Sequence, residues 1–87
     1  MNITEVLNNI ESIKDYKERF MVEYYQTAIR ATKLKTMLIK WDNSELDFEP
    51  TCPREIYDKQ LYAMNAYLDV LETRAKLENI ELDMVER

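Results

Sequence analysis

The 87-residue sequence contains no glycine. Glycine is the residue that most readily adopts left-handed backbone conformations, and glycine-rich loops let the backbone approach bound phosphates closely. Residues with high helix propensity, such as leucine, methionine, lysine, glutamate and alanine, are frequent instead. The sequence therefore favours helices, and it excludes phosphate-binding loops of the Walker or dinucleotide type.

The chain also lacks histidine and has one cysteine, Cys52. Histidine is the commonest general base, and one cysteine forms neither an internal disulfide nor a cysteine-based metal cage. We therefore expect no enzyme activity, no metal site and no cofactor. The net charge of −5 argues against general binding of DNA or RNA. We also expect no membrane span and no signal peptide, and so a cytosolic protein, because no apolar stretch approaches the roughly 20 residues that a span needs.

Apolar residues recur every three or four positions in three runs, which is the spacing of amphipathic helices. We predict one domain, residues 1–87, with a short helix over about residues 3–14 and long helices over about 16–41 and 52–85. An acidic loop over about residues 42–51 connects the long helices. The predicted fold is all-α, an antiparallel long-helix hairpin preceded by the short helix.

The apolar surface of the last helix exceeds what one partner helix covers. The seam of the first long helix is Phe20, Tyr24, Ala28, Ala31, Leu34, Leu38 and Trp41. The seam of the second is Tyr57, Leu61, Met64, Leu68, Leu71 and Ala75. Beside it lies a further stripe, Ala63, Tyr67, Val70, Leu77 and Met84. We therefore predict that self-association completes the fold.

The stretch between Tyr24 and Trp41 contains basic residues and no acidic residue. It is a basic segment within an acidic chain. At about 100° per residue, Tyr25, Lys33 and Lys40 share a face directed away from the seam, with Gln26 on the same side. Ammonium groups neutralise phosphate, and a tyrosine ring stacks on a nucleobase. The face fits an anionic ligand with a flat base, although a solvated charged face is the commoner meaning of such a pattern.

Two other groups of charged residues have simpler interpretations. Glu45, Asp47 and Glu49 alternate along the loop without the glycine turn of a calcium-binding loop, so we interpret them as solvated charge. Arg74 lies four residues before Glu78, and this spacing is typical of an ordinary ion pair on a helix. The alternative is that Arg74 faces inward in an oligomer, where it needs an anion.

Two runs of spaced helical positions resemble the long helices of a known family. The first is Glu18, Arg19, Phe20, Glu23, Tyr24, Arg30, Lys33, Leu34, Met37 and Leu38; the second is Gln60, Met64, Tyr67, Leu71 and Arg74. Over roughly residues 16–80 the chain resembles the phage anti-CBASS cyclic-oligonucleotide sponges. The resemblance implies an all-helical homohexamer in the host bacterial cytoplasm. It also implies sequestration, without cleavage, of cyclic di- and trinucleotide immune messengers such as 3′,3′-cyclic GMP-AMP.

The resemblance also implies binding residues. In the family, a tyrosine on the base and a lysine on the phosphate, both from the first long helix, bind the dinucleotide. The best matches are Tyr25 and Lys40, with Tyr24 and Lys33 as alternatives and Gln26 on the same face. The family's late arginine, tied to trinucleotide binding, matches Arg74. The competing hypothesis is a helical structural or adaptor protein that binds another protein through its oligomer surface.

Overall fold

The structure is a computed structural model that describes residues 13–86, and these residues contain two helices and no strand. Helix α1 is Ile13–Asp42 and helix α2 is Arg54–Leu77. The predicted all-helical class is confirmed for this part of the chain. The predicted N-terminal helix falls almost entirely outside the described residues, and its last two positions belong to α1. Neither α1 nor α2 is long and apolar enough to cross a membrane.

The two helices pack through the seams that the apolar spacing predicted. The buried cluster consists of Phe20, Tyr24, Ala28, Ala31, Leu68, Leu71, Ala75 and Ile80. Near the end of α1, the ring of Trp41 meets the ring of Tyr57 in the first turn of α2 edge-on, with centroids 6.0 Å apart. Near the start of α1, the hydroxyl of Tyr16 donates a hydrogen bond to Glu78, just after α2. The contacts therefore pair opposite ends of the two helices.

Arg54, the first residue of α2, fixes the connection between the helices. Its two terminal nitrogens donate to the two carboxylate oxygens of Asp42, and its Nε donates to Oδ1 of Asp58 at 2.9 Å. The guanidinium also lies 5.3 Å from the ring centroid of Trp41. The hydrogen bonds from Arg54 lower the pKa of Asp42, and those to Asp42 and Asp58 raise the pKa of Arg54. One arginine thus joins both ends of the loop.

The second helix ends at Leu77, not at about residue 85 as the apolar spacing predicted. Asn79 adopts a left-handed conformation with φ 58°, and the N–H of Ile80 donates to the carbonyl of Ala75 at 2.8 Å. This is the Schellman arrangement, in which asparagine serves where glycine is usual. Ile80 is only 6% exposed, so burial of its side chain favours the reversal over a further helical turn.

Residues 80–86, here called the C-terminal segment, run back beside α1 without helical structure. The N–H of Asp83 donates to the hydroxyl of Tyr25 at 2.8 Å, and the N–H of Val85 donates to the hydroxyl of Tyr24 at 3.0 Å. Leu82 and Val85 pack against the core cluster. The C-terminal segment therefore covers part of the surface of α1. The predicted hairpin left this part of the surface exposed.

Among residues 13–86, no segment covers the further stripe of α2. Its helical members Ala63, Tyr67, Val70 and Leu77 are all exposed. Ile56 is exposed as well, and Ile56, Ala63, Val70 and Leu77 follow one another at intervals of seven residues. Val70 is 54% exposed and Leu77 is 79% exposed. Met84, which the sequence placed on the same helical stripe, belongs to the C-terminal segment because α2 has already ended.

Candidate functional site

Lys33 and Lys40 line one cavity of about 270 Å³ on the outer side of α1. Both side chains are exposed, and Thr36 lies between them on the same helix. Residues of the following loop, among them Glu45 and Phe48, form the other wall. The spacing of seven residues is about two helical turns, so the two ammonium groups lie on one side of α1.

The loop reaches this position because α1 ends in a reversal. Ser44 has φ 57°, and the N–H of Glu45 donates to the carbonyl of Lys40 at 2.8 Å, while the N–H of Ser44 donates to the carbonyl of Trp41 at 3.1 Å. These two bonds form a Schellman motif with serine at the left-handed position. The chain that follows is thereby directed back toward the side of α1 that carries Lys40.

The charges that line the cavity remain available to a ligand. Among the ion pairs of residues 13–86, none includes Lys33 or Lys40, and none includes the loop carboxylates Glu45 and Asp47. Phe48 presents 53% of its surface to solvent. The cavity therefore combines two cations, two acceptors and one accessible aromatic ring.

The structure does not place Tyr25 beside Lys40 of the same chain. Tyr25 is half-buried, packs against the core cluster and accepts a hydrogen bond from Asp83 in the C-terminal segment. Fifteen residues of helix separate it from Lys40, a distance of roughly 22 Å along the axis. Within residues 13–86, it is therefore Lys33 that shares a cavity with Lys40.

The alternative tyrosine, Tyr24, lies in the core. Its side chain is 0% exposed, and its hydroxyl donates to Oε2 of Glu72 at 2.6 Å. The ring of Tyr24 meets that of Tyr25 edge-on, with centroids 5.3 Å apart. Gln26, the remaining residue of the predicted face, is exposed. The two neighbouring tyrosines thus have different environments, and a nucleobase can reach Tyr24 only if the core opens.

Arg74 belongs to a cluster at the other end of the molecule. Its Nε donates to Oε2 of Glu78 at 2.9 Å, so the ion pair predicted from their spacing is confirmed. Arg74 also donates to the hydroxyl of Tyr16, and its guanidinium lies 5.0 Å from the ring centroid of Phe20. The hydrogen bond from Tyr16, followed in size by the one from Arg74, lowers the pKa of Glu78. The hydrogen bond that Tyr16 donates to Glu78 raises the pKa of Tyr16. An anion that binds Arg74 must compete with this carboxylate.

Sequence reasoning missed the roles of Phe48 and Tyr16. Phe48 lies against α1, where it lines the cavity of Lys33 and Lys40 and is half exposed. The sequence shows that Phe48 alternates with acidic residues of the loop, but this alternation does not indicate which residues surround the ring. Tyr16 and Arg74 are 58 positions apart, so no local pattern indicates their contact.

Two other cavities differ in charge. One of about 370 Å³ lies between α1, α2 and Glu86, and its basic residue is Lys35. Another of about 440 Å³ along the start of α1 is lined by three acids and one base, which disfavours an anion. Among residues 13–86, no group of three or more potential metal ligands comes together. The lysine cavity is the one of these three that offers two cations to a phosphate.

A family model described as Sequestin matches residues 14–77, well over half of the chain. The matched range contains both helices almost completely, and it includes the lysine cavity and Arg74. No curated protein and no solved structure matches the chain. The matched range agrees with the part of the chain, roughly residues 16–80, that carries the resemblance.

Proposed function

Because the chain belongs to the Sequestin family, the phage anti-CBASS cyclic-nucleotide sponges, we propose that it sequesters cyclic di- and trinucleotides. Such ligands include 3′,3′-cyclic GMP-AMP, and their capture in the host bacterial cytoplasm withholds them from CBASS defence. The observation that carries the proposal is the pair of exposed lysines, Lys33 and Lys40, which line one cavity. Two ammonium groups suit the two phosphates of a cyclic dinucleotide.

Lys40 is the proposed phosphate ligand, with Lys33 as its neighbour in the cavity. Tyr25 lies roughly 22 Å away along the same helix, too far for one small ligand to contact both residues of one chain. In this proposal Tyr25 stacks on a base only when it comes from a neighbouring subunit. The pocket that contains Tyr25 and Lys40 then exists only in the assembly.

The proposed assembly is a homohexamer of helical hairpins. The stripe Ile56, Ala63, Val70 and Leu77 supports self-association, since its members are exposed and repeat every seven residues. Such a repeat is typical of helices that pack against other helices. Packing against a second copy removes this apolar surface from water, which stabilises the assembly by about 25 cal/mol for each Å² buried.

Arg74 is the proposed ligand of cyclic trinucleotides. Its guanidinium is already held by Glu78, Tyr16 and Phe20, and its side chain remains 44% exposed. The cluster orients the arginine in advance, so little side-chain entropy is lost when an anion binds. Glu78 opposes the anion, so in this proposal the phosphates of the ligand compete with Glu78 for the guanidinium.

The proposed protein binds its ligand without changing it. A sponge requires anion pockets and needs no general base, nucleophile or metal. The histidine-free sequence suits such a role. The same exposed stripe on α2 keeps an adaptor protein as the second candidate, and the two functions differ in whether cyclic nucleotides bind at all.

Calorimetric titration with 3′,3′-cyclic GMP-AMP and a cyclic trinucleotide tests the proposal. Linear GMP-AMP is the matched control, because it carries the same bases without the ring. We expect both cyclic ligands to bind and to raise the melting temperature by linkage. Chromatography of the ligand released by heating should recover it intact. Absence of binding would favour the adaptor, and linear products would favour an enzyme.

A further inference from the structure

The loop after α1 brings an aromatic ring and two carboxylates to the same cavity as the two lysines. Glu45, Asp47 and Phe48 lie opposite Lys33 and Lys40 in a space of about 270 Å³. A site for phosphate alone has no use for carboxylates, since they repel the anion. The mixed charge of the lining therefore calls for a ligand that is anionic at one end and a hydrogen-bond donor at the other.

The position of the loop is fixed by the backbone. The left-handed Ser44 and the bond from the N–H of Glu45 to the carbonyl of Lys40 tie the start of the loop to the last turn of α1. At the other end of the loop, Arg54 bonds to Asp42 and holds the start of α2 close to the end of α1. Both ends of the segment that carries the carboxylates and the ring are thus anchored.

A guanine nucleotide has the chemistry that this lining matches. Phosphate meets the ammonium groups, and the flat base stacks on a ring such as Phe48, half of whose surface is exposed. The Watson–Crick edge of guanine carries two neighbouring donors, N1–H and N2–H, which a carboxylate accepts in pairs. Adenine presents an unprotonated N1 at the same place, and this lone pair faces the carboxylate unfavourably. The loop carboxylates therefore discriminate between the two purines.

We propose that the Lys33–Lys40 cavity binds the guanine-containing half of a cyclic dinucleotide, with the base on Phe48 and its donor edge on the carboxylates of Glu45 and Asp47. This inference rests on the proposed sponge function and adds its base specificity. It gives the acidic loop a role in recognition, where the sequence indicated only solvated charge.

The test is a titration panel of cyclic di-GMP, cyclic GMP-AMP and cyclic di-AMP on the full chain. We expect the two guanine-containing ligands to bind at least about tenfold more tightly than cyclic di-AMP, as for one good bidentate contact. The double variant Glu45→Gln/Asp47→Asn should lose that preference by weakening the guanine ligands alone. Phe48→Ala should weaken all three ligands, and Phe48→Tyr should restore them.

Glu49→Gln is the matched control, because Glu49 is an exposed carboxylate of the same loop that is outside the cavity lining. It should leave all three affinities unchanged. Equal affinities in the wild type, or a guanine preference that survives the double variant, would overturn the base assignment while leaving the sponge function intact. Failure of all three ligands, and of a cyclic trinucleotide, to bind the wild type would overturn both proposals.

Discussion

The hydroxyl of Tyr24 donates a hydrogen bond to Oε2 of Glu72 on the facing helix, at 2.6 Å. The hydroxyl oxygen of Tyr24 also accepts the N–H of Val85, so one fully buried phenol joins α1 to α2 and to the C-terminal segment. Its neighbour Tyr25 makes one such bond, to Asp83, and is only half-buried. Of the two adjacent tyrosines, Tyr24 is thus the one committed to the fold.

Tyr24→Phe should lower the free energy of unfolding by about 1–3 kcal/mol, because the ring stays while two part-buried hydrogen bonds are lost. Chemical denaturation followed by circular dichroism measures the change. Tyr62→Phe is the control, since Tyr62 is 79% exposed, and it should have no effect. Below its melting temperature Tyr24→Phe should bind cyclic GMP-AMP normally. A binding defect in a folded variant would instead make Tyr24 a ligand residue.

Lys40→Ala should weaken cyclic GMP-AMP binding by about 1.5–3 kcal/mol, because it removes the proposed charge-assisted contact to phosphate. Lys35→Ala is the matched control, since Lys35 is an exposed lysine of the same helix that lines a different cavity. Titration calorimetry measures both affinities, with light scattering to check assembly. Equal losses in the two variants would show a general charge effect rather than a site.

Val70→Glu should prevent the proposed oligomer from forming, because a carboxylate in the centre of the exposed apolar stripe is costly to bury. Lys76→Glu also makes α2 more acidic but lies off the stripe, so it should leave the assembly intact. Light scattering at micromolar concentration measures the mass of each variant. A wild-type protein that is already monomeric would contradict the proposed assembly.

Asn79→Ala should destabilise the protein by about 1 kcal/mol, since alanine adopts the left-handed conformation at greater cost than asparagine. Asn79→Gly should preserve or increase stability, because glycine has no such cost. Thermal unfolding of the two variants gives the comparison. A stabilised Asn79→Ala variant would mean that the helix continues past Leu77 when it is allowed to.

Acidification should remove a contribution of Glu78 to stability. Hydrogen bonds from Tyr16 and Arg74 lower the pKa of this carboxyl below its ordinary value of 4.5, so the unfolded chain takes up the proton first. The contribution is therefore present above that value and is lost as the pH falls through the lowered pKa. Glu78→Gln should flatten the stability profile as the pH falls below about 4.5, the ordinary pKa of the carboxyl. Glu81→Gln, an exposed change nearby, should leave the slope as in the wild type.

Much of α1 was predictable because the spacing of apolar residues along a single helix indicates both its extent and its buried side. The spacing of Phe20, Tyr24 and Ala28 identifies the buried side of a long helix, and the predicted bounds differ from Ile13–Asp42 by three residues at one end and one at the other. The same reasoning placed Leu68 and Leu71 in the seam of α2, where both are buried. The spaced positions of the two helices also carried the family resemblance, which the Sequestin match confirms.

The sequence by itself determined the helical class, the two buried seams and the basic face, because each follows from side-chain spacing along one helix. Only the tertiary structure decided where α2 stops and what covers Tyr25. Helical periodicity continues through Leu77 and Met84, but burial of Ile80 beside Ala75 makes the left-handed turn at Asn79 favourable. The position of the loop also depends on tertiary structure. Its residues reach the cavity of Lys33 only because the chain reverses at Ser44.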